Sequence, residues 1–242
     1  MGIYEPEKWN KTLTEKQYCE LGEIAVNEIK MLSESDKWKQ INLEHDNSDE
    51  EDDDFGDDDN GNVTFYRCKS NLNVSQRVYM VRTIMNNVPE KFVQLPLPWK
   101  RFRASWDKEI EDLTIIAKYP NNVYLVREIR KTELNNLQYE SINVWKLHYH
   151  ENGIYIGVCG TSHALYPPSK SMKRIHYYLH GYSFIELPGE ITQVSIISHV
   201  NYNTLTSIDR YVPNILRNHL EQFQRGSRTF NKKRKHGEDN DY

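Results

Sequence analysis

The chain has 242 residues, 27% of them charged, a formal net charge of −4 and three cysteines. No stretch approaches the run of about 18 apolar residues that a membrane-crossing helix needs. "MGIYEPEKWN" has no apolar signal core, and with Pro6 it lacks the Ser or Thr of a myristoylation site, so neither leader nor acyl anchor is expected. Cys19, Cys68 and Cys159 are odd in number, far apart and outside any CxxC, which argues against a disulfide framework and for reduced thiols in a cytoplasmic or nuclear protein.

Residues 1–13 read as an N-terminal arm. From 14 to 32, "TEKQYCELGEIAVNEIKML" sets Tyr18, Leu21, Ile24, Ala25, Ile29 and Leu32 on one stripe at helical spacing, and Thr14 with Gln17 fits a capping box. "WKQINL" (38–43) alternates as a short strand and "VTFYRC" (63–68) resumes it, so the two are expected to pair as a hairpin. Their connection holds "SDEEDDDFGDDDN" (48–60), whose nine carboxylates leave the rest of the chain at +5. Such a run cannot bury enough apolar surface to offset its ordering entropy, and 48–60 is expected to be disordered.

"RVYMVRTIM" (77–85) reads as a strand with Val78, Met80 and Arg82 on one face and Tyr79, Val81 and Thr83 on the other. "PEKFVQLP" is a brief helical stretch ended by Pro96 and Pro98. Then "LTIIAKY", "VYLVREIRK", "INVWKLHYH", "GIYIGVCGTSH", "KRIHYYLHGYSF" and "TQVSIISHV" follow in close order, separated by turns such as Pro-Asn-Asn (120–122) and Glu-Asn-Gly (151–153). Strands this close, with no helices between them, run largely antiparallel. "YVPNILRNHLEQF" (211–223) is an amphipathic helix with Val212, Ile215, Leu216, Leu220 and Phe223 on one face and Pro213 in its first turn. Residues 227–242, with "NKKRKHG", read as a basic disordered tail. The class is α+β: a sheet of so many strands curls, and the closing helix covers its open side.

Enzymatic signatures are missing. "CGTSH" sets a serine beside His163, but neighbouring strand residues face opposite ways and no GxSxG elbow exists. His148 and His150 share a face with no third ligand in a motif, and no glycine-rich phosphate loop is present. No catalytic residue, metal or cofactor is therefore expected. "YPPSKSMKRIHYYLHGY" (166–182) interleaves basic and aromatic residues as single-strand nucleic-acid sites do, and equally as a proline loop entering a strand would.

The order of elements from about residue 14 to 226 resembles that of the START (steroidogenic acute regulatory protein-related lipid transfer) family. "RASWD" (103–107) is similar to the family's Arg-x-x-Trp-Asp, "YPPSKSMKR…HGY" falls at its Pro-containing loop and following strand, and "VPNILRN" (212–218) looks like its Pro-x-x-Leu-x-Asn. The resemblance favours the strand reading of 166–182 over nucleic-acid binding. It implies a helix-grip fold, a curved antiparallel sheet wrapped around the C-terminal helix, enclosing an apolar tunnel. Its function would be to hold one lipid (phospholipid, sterol or fatty acid) and to transfer it between membranes by transient surface contact, as a monomer and not as an enzyme. The second reading is a START-like shell that serves as a non-transferring interaction module, with the nucleus as its place.

In phosphatidylcholine-binding relatives the Arg and Asp of the motif contact the head group. Carried over, these are Arg103 and Asp107, with an internal salt bridge as the alternative. The choline-cage positions fall on Arg127, Ser141 and Ser198, none aromatic, so choline is not implied. Val212, Leu216 and Leu220 would face the lipid from a lid helix, with plain core packing as the alternative. The chain departs from the family in lacking the Asp-x-x-Gly before the last helix and in carrying Tyr139-Glu140 where relatives have Arg-Asp. "KKRK" (232–235) fits a nuclear localisation signal, a patch for anionic lipid or a solubilising tail. "DDFGDDD" faintly resembles acidic motifs that dock lipid carriers to the endoplasmic reticulum, and Ser48 precedes Asp-Glu-Glu as an acid-directed kinase site would.

Overall fold

A computed structural model describes residues 11–41, 63–69, 77–131, 138–201 and 212–235, except for the side chains of 201 and 231–235. The acidic run 48–60 and the arm before residue 11 lie outside the described residues, so the expectations for them are left where the sequence puts them. Helix α1 (Glu15–Ser33) opens as its capping box dictates. Gln17 N donates to Thr14 Oγ1 (3.3 Å) and Thr14 N donates to Gln17 Oε1 (3.0 Å), which satisfies two donors at the helix start.

The buried stripe of α1 is Tyr18, Gly22, Ala25, Val26, Ile29 and Ser33. It is rotated from the expected one, and Ile24 stands 48% exposed. Close approach is the reason. A Cβ added to Gly157 would lie 2.3 Å from Val26 N, so the helix backbone almost touches the sheet. The small Gly22 and Ala25 let the helix come that close, with Tyr18, Val26 and Ile29 buried on the same stripe, and Ile24 turns out to water.

Among the described residues, ten strands make one sheet. They are β1 (Lys39–Ile41), β2 (Thr64–Lys69), β3 (Arg77–Asn86), β4 (Ile110–Tyr119), β5 (Val123–Lys131), β6 (Gln138–His150), β7 (Gly153–Gly160), β8 (Lys173–Arg174), β9 (His176–Leu187) and β10 (Ile191–Asn201). Their order is β1-β2-β3-β10-β9-β7-β6-β5-β4, with β8 on β6. Pairs along that path are antiparallel, including the expected β1–β2 hairpin; β8 is a two-residue parallel bridge pairing Lys173 with Tyr139. Register shifts between β4 and β5 at Ile110/Asp112 and Ile115/Ala117, and between β10 and β9 at His199/Val200, add local twist and bend.

Side-chain alternation divides the interior into two clusters. Val78, Met80, Leu125, Val144, Tyr155 and Ile197 pack beneath α1. Tyr79, Val81, Val126, Trp145, Ile156, Tyr182 and Phe184 face the other way, toward helix α3 (Val212–Lys235). A 3-10 turn (Pro89–Lys91) and a short helix α2 (Lys100–Arg103), the latter an addition to the expected elements, fill the corner between β3 and β4.

Helix α3 runs to Lys235, so residues 227–235, expected as tail, belong to it. Its buried face continues from Phe223 through Ser227 to Phe230. Gly226 does not stop the helix. A Cβ there would stand 2.4 Å from Trp106 Cβ, so the glycine admits the indole, and Phe230 meets Phe102 edge-on at 5.7 Å. No helix among the described residues is long and apolar enough to cross a membrane.

The α1–sheet contact makes a test. Gly157→Ala should lower the unfolding free energy by about 1–3 kcal/mol through overpacking, read by urea denaturation. The exposed change Ile24→Ala should stay within about 0.5 kcal/mol. Equal effects from the two would contradict the close seating of α1.

Candidate functional site

The RASWD segment forms one helical turn and its exit, which brings Arg103 and Asp107 (i, i+4) together. Arg103 Nε bonds Asp107 Oδ2 at 2.9 Å with both side chains at or below 1% exposure. Arg103 Nη1 donates to Pro96 O at 2.9 Å, and its guanidinium lies over the rings of Trp106, Trp145 and Tyr182 at 4.8, 5.5 and 5.9 Å. An arginine so enclosed is held by stacking as well as charge.

Asp107 has a second cation. Arg130 Nη2, from β5, reaches Asp107 Oδ1 at 3.2 Å and Glu109 Oε2 at 3.0 Å, while its Nη1 reaches Glu128 Oε1 at 2.9 Å. Asn143 Nδ2 on β6 extends the chain, donating to Glu128 Oε2 at 3.3 Å and to Ser141 Oγ at 2.8 Å. Burial alone would raise the Asp107 pKa, but the Arg130 and Arg103 guanidiniums outweigh it and hold the carboxyl well below its usual range.

Helix α3 closes over this network through His219. Its Nε2 lies 2.6 Å from Tyr182 Oη, and its Nδ1 is 3.8 Å from Asp107 Oδ2. Burial pushes the His219 pKa down to about 3 despite Asp107, so at neutral pH the ring is uncharged. The contact with Asp107 is then no ion pair; a tautomer with the proton on Nδ1 accepts from Tyr182 and points N–H at the carboxylate. Burial also pushes the Tyr182 hydroxyl up to about 12.

Beside the network lies a cavity of about 50 Å³, lined by Glu109, Arg130, Tyr139, Ile175, Tyr177, His180, Ser198, Ile215, Leu216 and His219. That is room for a few water molecules. Its wall mixes one ion pair, Arg130–Glu109, with neutral hydroxyl and imidazole groups and the apolar Ile215 and Leu216 of α3. The buried Nδ1 of His180 has no hydrogen-bond partner among the described residues.

No family model and no curated protein matches the sequence. Solved structures do match the fold. Human StAR-related lipid transfer protein 5 superposes with a TM-score of 0.75 at 14% identity, covering 90% of this chain and 100% of that one. Human STARD10 gives 0.67 at 13% identity over 95% of this chain and 86% of its own. The human StarD13 (DLC2) lipid transfer and protein localization domain gives 0.60 at 9%, over 90% and 96%. The fold is the START helix-grip fold.

Within this START fold the residues singled out from sequence fall in four places. Ser198 and Leu216 line the cavity. Arg103, Asp107 and Ser141 are joined in the buried polar network next to it, while Val212 and Leu220 pack in the apolar cluster under α3. Arg127 is not brought to the site. It shares the strand face of Val123 and Leu125, on the α1 side, where its Nε bonds Glu140 Oε1 at 2.6 Å. The three positions expected to correspond to a cage thus do not converge.

Glu109, Arg130, Tyr177, His180 and His219 were not singled out. Two signals were present. In "VYLVREIRK" the charges Glu128 and Arg130 share the parity of Val126, which places a pair of charges on a core face. His219 follows Leu216 by three on the apolar stripe of α3.

Acid should weaken this interior. Burial lowers the His176 and His199 pKa values to about 4 and that of His219 to about 3. The folded state keeps these rings neutral while the unfolded chain takes up protons below about pH 6.5, so stability is complete above that value and falls as pH drops toward the folded values. At about pH 5 each ring costs at most about 2 kcal/mol. The Tm should therefore be lower by roughly 10 °C at about pH 5 than at about pH 7.5. A flat calorimetric profile across that range would contradict the burial of these rings.

Proposed function

We propose that the chain binds one lipid between the sheet and the first half of α3, and moves it between membranes. The carrying observation is the mixed polar and apolar cavity under Leu216 and His219, lying within a START fold. Two of the neighbours named above, StAR-related lipid transfer protein 5 and the StarD13 domain, are called lipid transfer proteins or domains, which supports the reading by analogy of fold.

The closed form is too tight for the ligand. Sites for small molecules measure about 300–1,000 Å³, against the cavity's roughly 50 Å³. Loading therefore needs α3 to shift. Among the described residues the polar contacts it must release are few: His219 with Tyr182 and Asp107, Lys108 N with Gln222 Oε1 at 2.9 Å, and Gln224 Nε2 with Thr83 Oγ1 at 3.4 Å. Release of a hydrocarbon chain to water is disfavoured by about 0.8 kcal/mol per methylene, and an opened apolar slot under Leu216 and Leu220 offsets that cost.

The polar wall favours a small, neutral, hydroxyl-bearing head group over a phosphate. Arg130 already faces Asp107, Glu109 and Glu128, and an anion would have to compete with three carboxylates. Ser198, His180 and His219 offer neutral donors and acceptors instead. The second reading is a START-like interaction module that carries no lipid, and the small cavity and the filled ion network favour it.

Native mass spectrometry of the purified protein separates the two, with a single co-purified lipid expected. In a liposome transfer assay Leu216→Glu should abolish extraction, and Ser198→Leu, which fills the cavity, should slow it at least tenfold with the sheet's circular dichroism intact. A protein that is free of lipid and transfers none would leave the module reading, whereas transfer by Ser198→Leu at the wild-type rate would remove the cavity as the binding site.

A further inference from the structure

After β7, residues 161–172 run along the α1 side of the sheet and return through β8. We infer that this loop is a membrane-docking element, with Leu165 entering the surface of an anionic bilayer and Lys170 and Lys173 meeting its head groups. This goes beyond the internal site and does not require the cavity to take lipid.

Leu165 is 80% exposed, more than Ile24, Met31, Ile84 or Tyr149. It is not on a slack segment. Before it, the Tyr18 hydroxyl donates to Ser162 O at 3.0 Å, Ser162 Oγ donates to Lys11 O at 2.7 Å, and Ala164 N donates to Thr12 Oγ1 at 3.0 Å. After it, Tyr166 packs on the α1-side cluster, lies under the Arg127 guanidinium at 5.6 Å, and accepts from Arg174 Nη2 through its carbonyl at 2.9 Å. With Tyr166 clamped inward, its neighbour Leu165 is held out to solvent, followed by the exposed Pro167 and Pro168.

Charge complementarity names the occupant. From 161 to 175 there is no acidic residue, and Lys170 and Lys173 are exposed, as is Lys11 alongside. Beneath them Arg127 and Arg174 both bond Glu140, at 2.6 and 2.7 Å. An exposed leucine among lysines on a rigid loop fits an interface that is apolar below and anionic above. The loop is also continuous with the cavity wall: Lys173 pairs with Tyr139, and Ile175 follows.

The full chain is tested by co-sedimentation with vesicles of phosphatidylcholine alone and with about 30% phosphatidylserine, at about 0.1 M salt. Each lysine near an anionic surface is worth about fivefold in binding. Wild type should bind the phosphatidylserine vesicles at least tenfold more tightly than the neutral ones. Leu165→Asp and the double variant Lys170→Glu/Lys173→Glu should each lose at least tenfold, with unchanged Tm because all three positions are exposed. No binding by wild type, equal binding to both vesicles, or variants that bind as wild type does would each overturn the proposal; the last would move the contact elsewhere, for instance to the end of α3. Since sedimentation reads surface binding alone, a failed transfer assay leaves this result intact, and the reverse holds too.

Discussion

Asp107 has no exposed side-chain surface, and its charge must be answered inside the protein. An uncompensated buried carboxylate costs several kcal/mol, and the surrounding geometry follows from avoiding that cost. Arg103 arrives by the helical turn of RASWD, Arg130 by the strand pleat, and Glu109 and Glu128 then balance the second guanidinium. Trp106 is fixed between this network and α3, donating from Nε1 to Leu95 O at 2.9 Å and meeting Phe223 edge-on at 5.4 Å. The position of α3 over the sheet is thus tied to one carboxylate, partly through His219.

That arrangement divides the interior beneath α3 into unlike parts. Toward Phe184, Phe223 and Trp145 it is a packed apolar cluster. Toward Ser198 and His180 it is a polar pocket. A lipid is likewise two-part, and a molecule entering from the Ile215 and Tyr177 side would meet groups that can hydrogen-bond its head before its tail displaced any side chain. The same division makes the region sensitive to protons, since the neutral rings of His180 and His219 sit against Arg103 and Arg130, and burial together with those cations keeps both pKa values low.

Much of the fold was legible because it rests on short-range rules. The capping box at Thr14, the alternation of Val78 and Tyr79 and the stripe of α3 are set by neighbours in sequence. Contacts across the chain were not legible in the same way. The i, i+4 spacing of Arg103 and Asp107 could be read, but Arg130 lies 23 positions from Asp107 and meets it only through the pairing of β4 with β5. Arg127 illustrates the cost of register: one step along β5 separates Val126, under α3, from a side chain on the α1 face. The end of α3 and the side chain of Ile24 depart from expectation for a related reason, because an intimate contact with another element, at Gly226 and at Gly157, and not local preference, decides each.

The seating of α1 on Gly157 has a mechanical consequence. With backbone against backbone there is no slack between that helix and the strands it crosses, and interiors this dense transmit strain instead of absorbing it. The back of the sheet is therefore stiff, and any swelling of the domain must be one-sided, taken up where α3 rests on side chains that can exchange rotamers.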